Sequence, residues 1–245
     1  MDKNEAFEDQ TGVITLLWGP RERPSRGPKP ALSVERIAHA AIEIADAEGP
    51  AAVSMQRIAG DLGFTKMSLY RYVPGKAELI ALMIDTAIGE PPDLDGVPDG
   101  WRAKLQSWAW HIWEVYQRHP WLLGAIVGNR VFGPNELGWM ESAVAALDGT
   151  GLDGGERLDA VLVVNGHIRN IAQQTVTTAG TTMQHAEQAT ASTLTRLLRQ
   201  HGDRYPALTA AIASAAANSS QDQGLEFGLR RILDGLAMLI TDRST

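Results

Sequence analysis

GDLGFTKMSLYRYVPGK, residues 60–76, opens on a glycine, repeats one three residues later, sets an Arg between two tyrosines and stops at Pro-Gly-Lys. Just before it, Ser54 can cap a short helix whose inner stripe is Met55, Ile58, Ala59 and Leu62. Gly63 follows that helix, where the chain must take positive φ to turn. Thr65 then caps a second helix, expected over Lys66 to Val73 and broken by Pro74-Gly75. Two short helices around a tight turn, the second polar and outward-facing, make a helix-turn-helix. Ile58, Leu62, Leu69 and Val73 should bury against an earlier helix that Ser33 caps and Gly49-Pro50 ends. That helix carries Val34, Ile37, Ala38, Ala41, Ile44 and Ala45 on one face. A fourth helix, from about Lys76 to Gly89, carries Leu79, Ile80, Met83, Ile84 and Ala87.

Charge supports a polyanionic partner for this segment alone. The 245-residue chain has a net charge of −7, yet Arg21 to Lys76 holds nine Lys/Arg against six Asp/Glu, +3, leaving −10 for the rest. Lys66, Met67, Ser68, Tyr70, Arg71 and Tyr72 lie near the outer face of the second short helix. Phosphate contacts would position such a unit, and base contacts would specify its site. Met67 suits a thymine methyl.

Around this unit the chain divides into three. Residues 1–30 read as a flexible basic arm, because WGPRERPSRGPKP, residues 18–30, holds four prolines and four Arg/Lys. Residues 31–90 form the helix-turn-helix unit. GEPPDLDGVPDG, residues 89–100, is a linker, and 91–245 reads as helices throughout, with no period-2 strand pattern and no internal repeat. The fold class is therefore all-α: a three-helix N-terminal unit joined by a fourth helix to a larger helical body. There is no Cys, which excludes disulfides, a thiol nucleophile and Cys-based metal sites. MDKNEAFEDQ is acidic where a signal peptide is basic, and no apolar run reaches the roughly 18 residues a span needs. A soluble, cytoplasmic protein without membrane attachment is expected.

SMQRIAGDLGFTKMSLYRYVPGKAELI, residues 54–80, resembles the N-terminal domain of the TetR/AcrR transcriptional regulators across the whole helix-turn-helix. HPWLL (119–123), GPNELGWMESAVAAL (133–147) and FGLRRILDGL (227–236) are similar to the ligand-binding, dimerising domain of its tetracycline-repressor branch. The resemblance implies that Gln56 and Lys66 reach base edges, and that Ser68 and Arg71 touch bases or backbone. It implies that Ser54, Tyr70, Tyr72 and Lys76 hold phosphates and that Thr65 caps the recognition helix. It further implies a homodimer on a palindromic double-stranded operator, released by a small-molecule effector. Read from the residues alone, Tyr70 also suits a half-buried core position and Lys76 an ordinary surface one.

The body gives weaker signals. Six tryptophans between Trp101 and Trp139 suit either a bundle core or the wall of a pocket. LDAVLVVNGHIRNIAQQ, residues 158–174, sets polar residues into an apolar run that could instead face solvent or a second subunit. The candidate pocket residues are Trp110, Trp113, Trp139, Asn165, Arg169 and Gln173. In the last helix, Leu225, Leu229, Ile232, Leu233, Leu236, Leu239 and Ile240 make a broad apolar face, which the resemblance assigns to dimerisation and which could equally cover the monomer core. Catalytic signatures fail. GTGLDG, residues 149–154, matches a dinucleotide-binding pattern but follows a helix rather than a strand. There is no P-loop and no GxSxG. No catalytic residue, metal or cofactor is predicted. The rival to a DNA-binding regulator is a helical carrier or enzyme with an incidental helix-turn-helix, and repressor and activator remain open alternatives.

Overall fold

The computed structural model describes residues 10–19, 31–98, 100–176, 183–217 and 224–243, and among these every regular element is helical. The first is α1, Thr11–Trp18, which packs on the later helix α5 with Val13 and Leu17 buried. The indole N–H of Trp18 donates to the Phe132 carbonyl at 3.0 Å. The flexible arm expected over 1–30 is thus corrected for residues 11–18. Eight residues cannot sustain an isolated helix in water, so only tertiary burial of one face selects it. The proline-rich stretch beyond it lies outside the described residues.

The next three helices start where the sequence predicts. α2 spans Val34–Glu48, with the Ser33 hydroxyl accepting from the Arg36 N–H. α3 spans Met55–Leu62, capped likewise from Ser54 and closed by Gly63 at φ 73°. α4 spans Lys66–Tyr70, capped by Thr65. It ends three residues earlier than expected. Pro74 disfavours helix at Val73, and the N–H groups of Tyr72 and Val73 both turn to the Leu69 carbonyl. Ile37, Ile58, Leu69 and Val73 are fully buried, which fixes the angle between α2, α3 and α4.

α5, Lys76–Ile88, buries residues on two sides: Leu79, Leu82, Met83, Ile84, Asp85, Ala87 and Ile88. Ile80, expected in the apolar stripe, is exposed. α5 packs against α1 and α2 and also against α6 (Gly100–Arg118), α7 (Leu122–Ala125) and α8 (Pro134–Ala145). Leu94 is buried, so the linker lies against the core.

α9, Gly154–Val176, runs through the body against α6, α8 and the last helix, α12 (Gly224–Arg243). Its start explains the glycine-rich match. Gly149 and Gly151 turn at positive φ, and Asp153 and Glu156 exchange side-chain-to-backbone hydrogen bonds at 2.9 and 3.0 Å. The segment is a reciprocally capped helix start. α10 (Met183–His201) and α11 (Pro206–Ala217) lie between. Leu225, Leu229 and Leu233 of α12 enter the monomer core, while Phe227, Met238 and Leu239 stay exposed. The broad face expected there therefore splits. Leu158, Leu162 and Val163 of α9 are exposed as well.

Leu17→Ala should cost about 2 kcal/mol, the low end for a buried leucine, through lost burial and an incompletely collapsed gap. A urea unfolding midpoint measures this, with the exposed Ile14→Ala as the near-neutral control.

Candidate nucleic-acid interface and its ties to the body

The ten expected contact residues all fall between 54 and 76, and eight of them are exposed. α4 turns Leu69 inward and leaves Lys66, Met67 and, just past its end, Arg71 and Tyr72 outward. Met67 is 72% exposed, a large apolar side chain held in water on an otherwise polar face. Ser68 and Tyr70 are half-buried. The Tyr70 ring packs against the core, and the Lys66 ammonium lies 5.4 Å from its centroid. Thr65 caps α4 through its hydroxyl, which also meets the Ser68 hydroxyl at 2.8 Å. Gln56 stands exposed on α3, and Lys76 stands exposed at the start of α5.

One cation beside this face is held. Arg57 pairs with Glu48 at 2.7 Å and with Asp61 at 3.2 Å, so its guanidinium ties α3 to the end of α2. The hydrogen bond to Glu48, then that to Asp61, raises its pKa above the ordinary arginine value. Among the described residues, no ion pair holds Lys66, Arg71 or Lys76. These cations remain available to phosphate. The Arg57–Asp61 spacing of four was visible in the sequence, but its reach to Glu48 was not.

Among the described residues, three polar ties join this unit to the body. Asp85, only 3% exposed, accepts through Oδ1 from the backbone N–H groups of Asn135 at 2.9 Å and Glu136 at 3.2 Å. Its carboxylate thus caps the start of α8, where the helix dipole favours a negative charge. The Asn135 side chain returns a bond to the Asp85 carbonyl at 2.9 Å. Gly133 has no side chain for a reason: a Cβ there would overlap the Asp85 carboxylate. Second, the Trp139 indole N–H donates to the Gly89 carbonyl at 3.0 Å, and Trp108 donates to the Trp139 carbonyl at 2.9 Å. Third, Asp46 of α2 meets Nδ1 of His119 at 2.9 Å and accepts from the Trp121 indole at 2.7 Å. None of Asp85, Asp46 or Gly133 stands out by spacing or composition.

The six candidate pocket residues do not converge. Trp110 is 38% exposed, and Gln173 is exposed. Trp113 is partly buried against the core. Trp139 alone of the six lines a cleft of about 350 Å³, with Ile88, Gly89, His111, Glu114 and His119. Asn165 and Arg169 lie one turn apart on α9, where Asn165 Oδ1 accepts from the Tyr116 hydroxyl at 3.3 Å. Burial pushes the Tyr116 pKa up to about 12, so near neutral pH the phenol is a neutral donor.

Comparison with known proteins follows this division. Residues 31–83 match the family described as "Bacterial regulatory proteins, tetR family". Residues 93–240 match "Tetracyclin repressor-like, C-terminal domain". The chain is 38% identical to the HTH-type transcriptional repressor DrrR1 of Streptomyces coeruleorubidus, over 96% of this chain and 88% of that one. Among solved structures, apo ActR from Streptomyces coelicolor aligns with a TM-score of 0.71 at 24% identity, covering 88% of this chain and 99% of ActR. ActR in complex with (S)-DNPA aligns at 0.68 and 25% identity, covering 85% and 98%.

Asp85→Ala should cost about 2 kcal/mol, because it strands two part-buried N–H groups at the start of α8; calorimetry reads the lowered Tm. The raised Tyr116 pKa means that the folded protein keeps a proton the unfolded chain loses. Its contribution is fully present below about pH 10 and fades as pH rises from 10 towards 12. Stability should fall by about 1.4 kcal/mol per pH unit more in wild type than in Tyr116→Phe across that window.

Proposed function

The chain belongs to the TetR family of bacterial regulatory proteins, and we propose that it is a cytoplasmic, ligand-responsive repressor that grips a palindromic operator as a homodimer. The observation that carries this reading is the exposed, uncompensated face of α4 and its flanks. Gln56 and Lys66 reach base edges, and Met67 meets a thymine methyl. Ser68 and Arg71 touch base or backbone. Ser54, Tyr70, Tyr72 and Lys76 hold phosphates, while Thr65 shapes the helix that presents them. The chain acts by binding rather than by catalysis. Its reading unit spans 31–90 and its effector and dimerisation unit 91–245. No described helix is long and apolar enough to cross a membrane.

The exposed leucines and valine of α9 and the exposed Phe227, Met238 and Leu239 of α12 favour pairing with a second copy. Such a pair would set two α4 helices in successive major grooves, about 34–36 Å apart. The name of DrrR1 and the (S)-DNPA bound by ActR favour repression relieved by a small molecule. Release would run through α5, which Asp85 ties to α8 and Gly89 ties to Trp139. A ligand that shifts α6 or α8 must move α5, and with it the spacing of the two heads. Carrying the population from 1:99 to 99:1 takes a preference of about 5.5 kcal/mol for the released form.

Selection of bound duplexes from a random pool tests the reading, and a symmetric consensus is expected. Binding to it should weaken steeply with salt, with a log–log slope of roughly −0.9 per neutralised phosphate. Lys66→Ala should weaken the selected duplex by about tenfold or more while leaving random duplex little changed. Equal loss on both would reassign Lys66 to phosphate, and no preference for any duplex would end the proposal.

A further inference from the structure

Six arginines of the helical body have carboxylate partners: Arg102 with Asp234, Arg130 with Glu136, Arg157 with Asp148, Arg230 with Glu226, Arg231 with Asp234 and Arg243 with Glu156. Arg169 is different. It is half-buried on α9, and its Nε is shut off from solvent with no hydrogen-bond partner. Among the described residues, no carboxylate or carbonyl receives its guanidinium. A cation partly withdrawn from water without a counter-charge is costly, and an arriving anion would relieve that cost.

The surroundings are also donors. Asn165, one turn before Arg169, spends its carbonyl on the Tyr116 hydroxyl, and no acceptor among the described residues takes its NH₂ group. The Tyr116 phenol cannot supply the missing charge, because burial keeps it protonated. The carboxylate whose field reaches Tyr116, Glu136, is engaged twice over. It pairs with Arg130 at 2.6 Å and accepts from the Gly133 N–H at 3.2 Å. Among the described residues, Arg169 and Asn165 thus offer two unfilled donor groups on the side of the body between α6 and α9, one of them charged. A planar guanidinium beside an amide NH₂ suits a two-oxygen anion, which it can bind with paired, charge-assisted hydrogen bonds.

We propose that Arg169 and Asn165 form an anion-accepting subsite, and that the effector of this protein is a small organic acid whose carboxylate or sulfonate docks there. The inference rests on the ligand-responsive reading above and specifies the chemistry of the ligand. Neither residue is placed to touch the operator, so the subsite acts on binding of the small molecule alone.

A matched pair of fluorescent probes tests it on the purified full-length chain. These are 8-anilinonaphthalene-1-sulfonate and N-phenyl-1-naphthylamine, which share a ring system and differ by the anionic group. Wild type should bind the sulfonate at least tenfold more tightly. Arg169→Gln should abolish that preference while still binding the neutral amine, and Arg169→Lys should retain part of it. Without probe, Arg169→Gln should melt at the same temperature as wild type or higher, since it removes an uncompensated charge. Sedimentation should show its subunit association unchanged. Equal binding of both probes by wild type would overturn the subsite and leave a neutral-ligand pocket standing. A preference that survives Arg169→Gln would overturn it equally. Weakened subunit association in Arg169→Gln would assign the counter-charge to a second copy of the chain and remove the proposal. Binding of neither probe would count against both the subsite and the pocket, while operator selection would still judge the DNA-binding reading on its own.

Discussion

Helix α5 has to bury itself in two bodies at once. Its leucines, methionine and isoleucines fill the space under α2 and, a turn further on, the space under α6 and α8. A helix in that position cannot follow one partner without disturbing the other. Packed interiors resist gradual deformation, so movement in the body reaches the N-terminal unit through α5 and through the contacts of Asp46 on α2 with His119 and Trp121. Asp85 sharpens this constraint. A buried carboxylate is tolerated only where its charge is met, and here it is met by the N–H groups at the start of α8. The bond joins two helices that belong to different functional units, and Gly133 makes room for it.

The treatment of charge differs between the two ends of the molecule. Near the reading face, Arg57 is held by Glu48 and Asp61 and spends its charge on geometry, fixing α3 against α2. Among the described residues, no ion pair holds Lys66, Arg71 or Lys76. In the body the pattern reverses. There six arginines pair with carboxylates among the described residues, and Arg102 holds Asp234 below the usual carboxylate range through a 2.5 Å hydrogen bond between α6 and α12. Against that background Arg169 stands apart, because its Nε is closed off from solvent with no hydrogen-bond partner among the described residues.

Apolar surface is divided by the same logic. α12 turns Leu225, Leu229 and Leu233 into its own core and leaves Phe227 and Met238, 68% and 71% exposed, to face outward. α9 does likewise with Leu158 and Leu162. One helix thus meets the monomer core and the outside through different stripes. At the other end of the chain, α1 stays helical only because Val13 and Leu17 find cover on α5. Trp18 then fastens α1 to the segment leading into α8.

Local chemistry determined the reading unit outright. Ser33, Ser54 and Thr65 cap, Gly63 turns and Pro74 stops, and each acts on neighbours within a few residues, so order along the chain suffices to place α2, α3 and α4. The exposed face of α4 followed from helical periodicity for the same reason. Tertiary structure decided everything that depends on distant partners. It made a helix of residues 11–18 and put Ile80 in water and Asp85 in the interior. It split the aliphatic face of α12 and scattered the tryptophans instead of gathering them into one wall. Capping and turning are settled by groups that are covalently close, whereas burial and charge compensation are settled by whichever surface arrives from elsewhere in the fold.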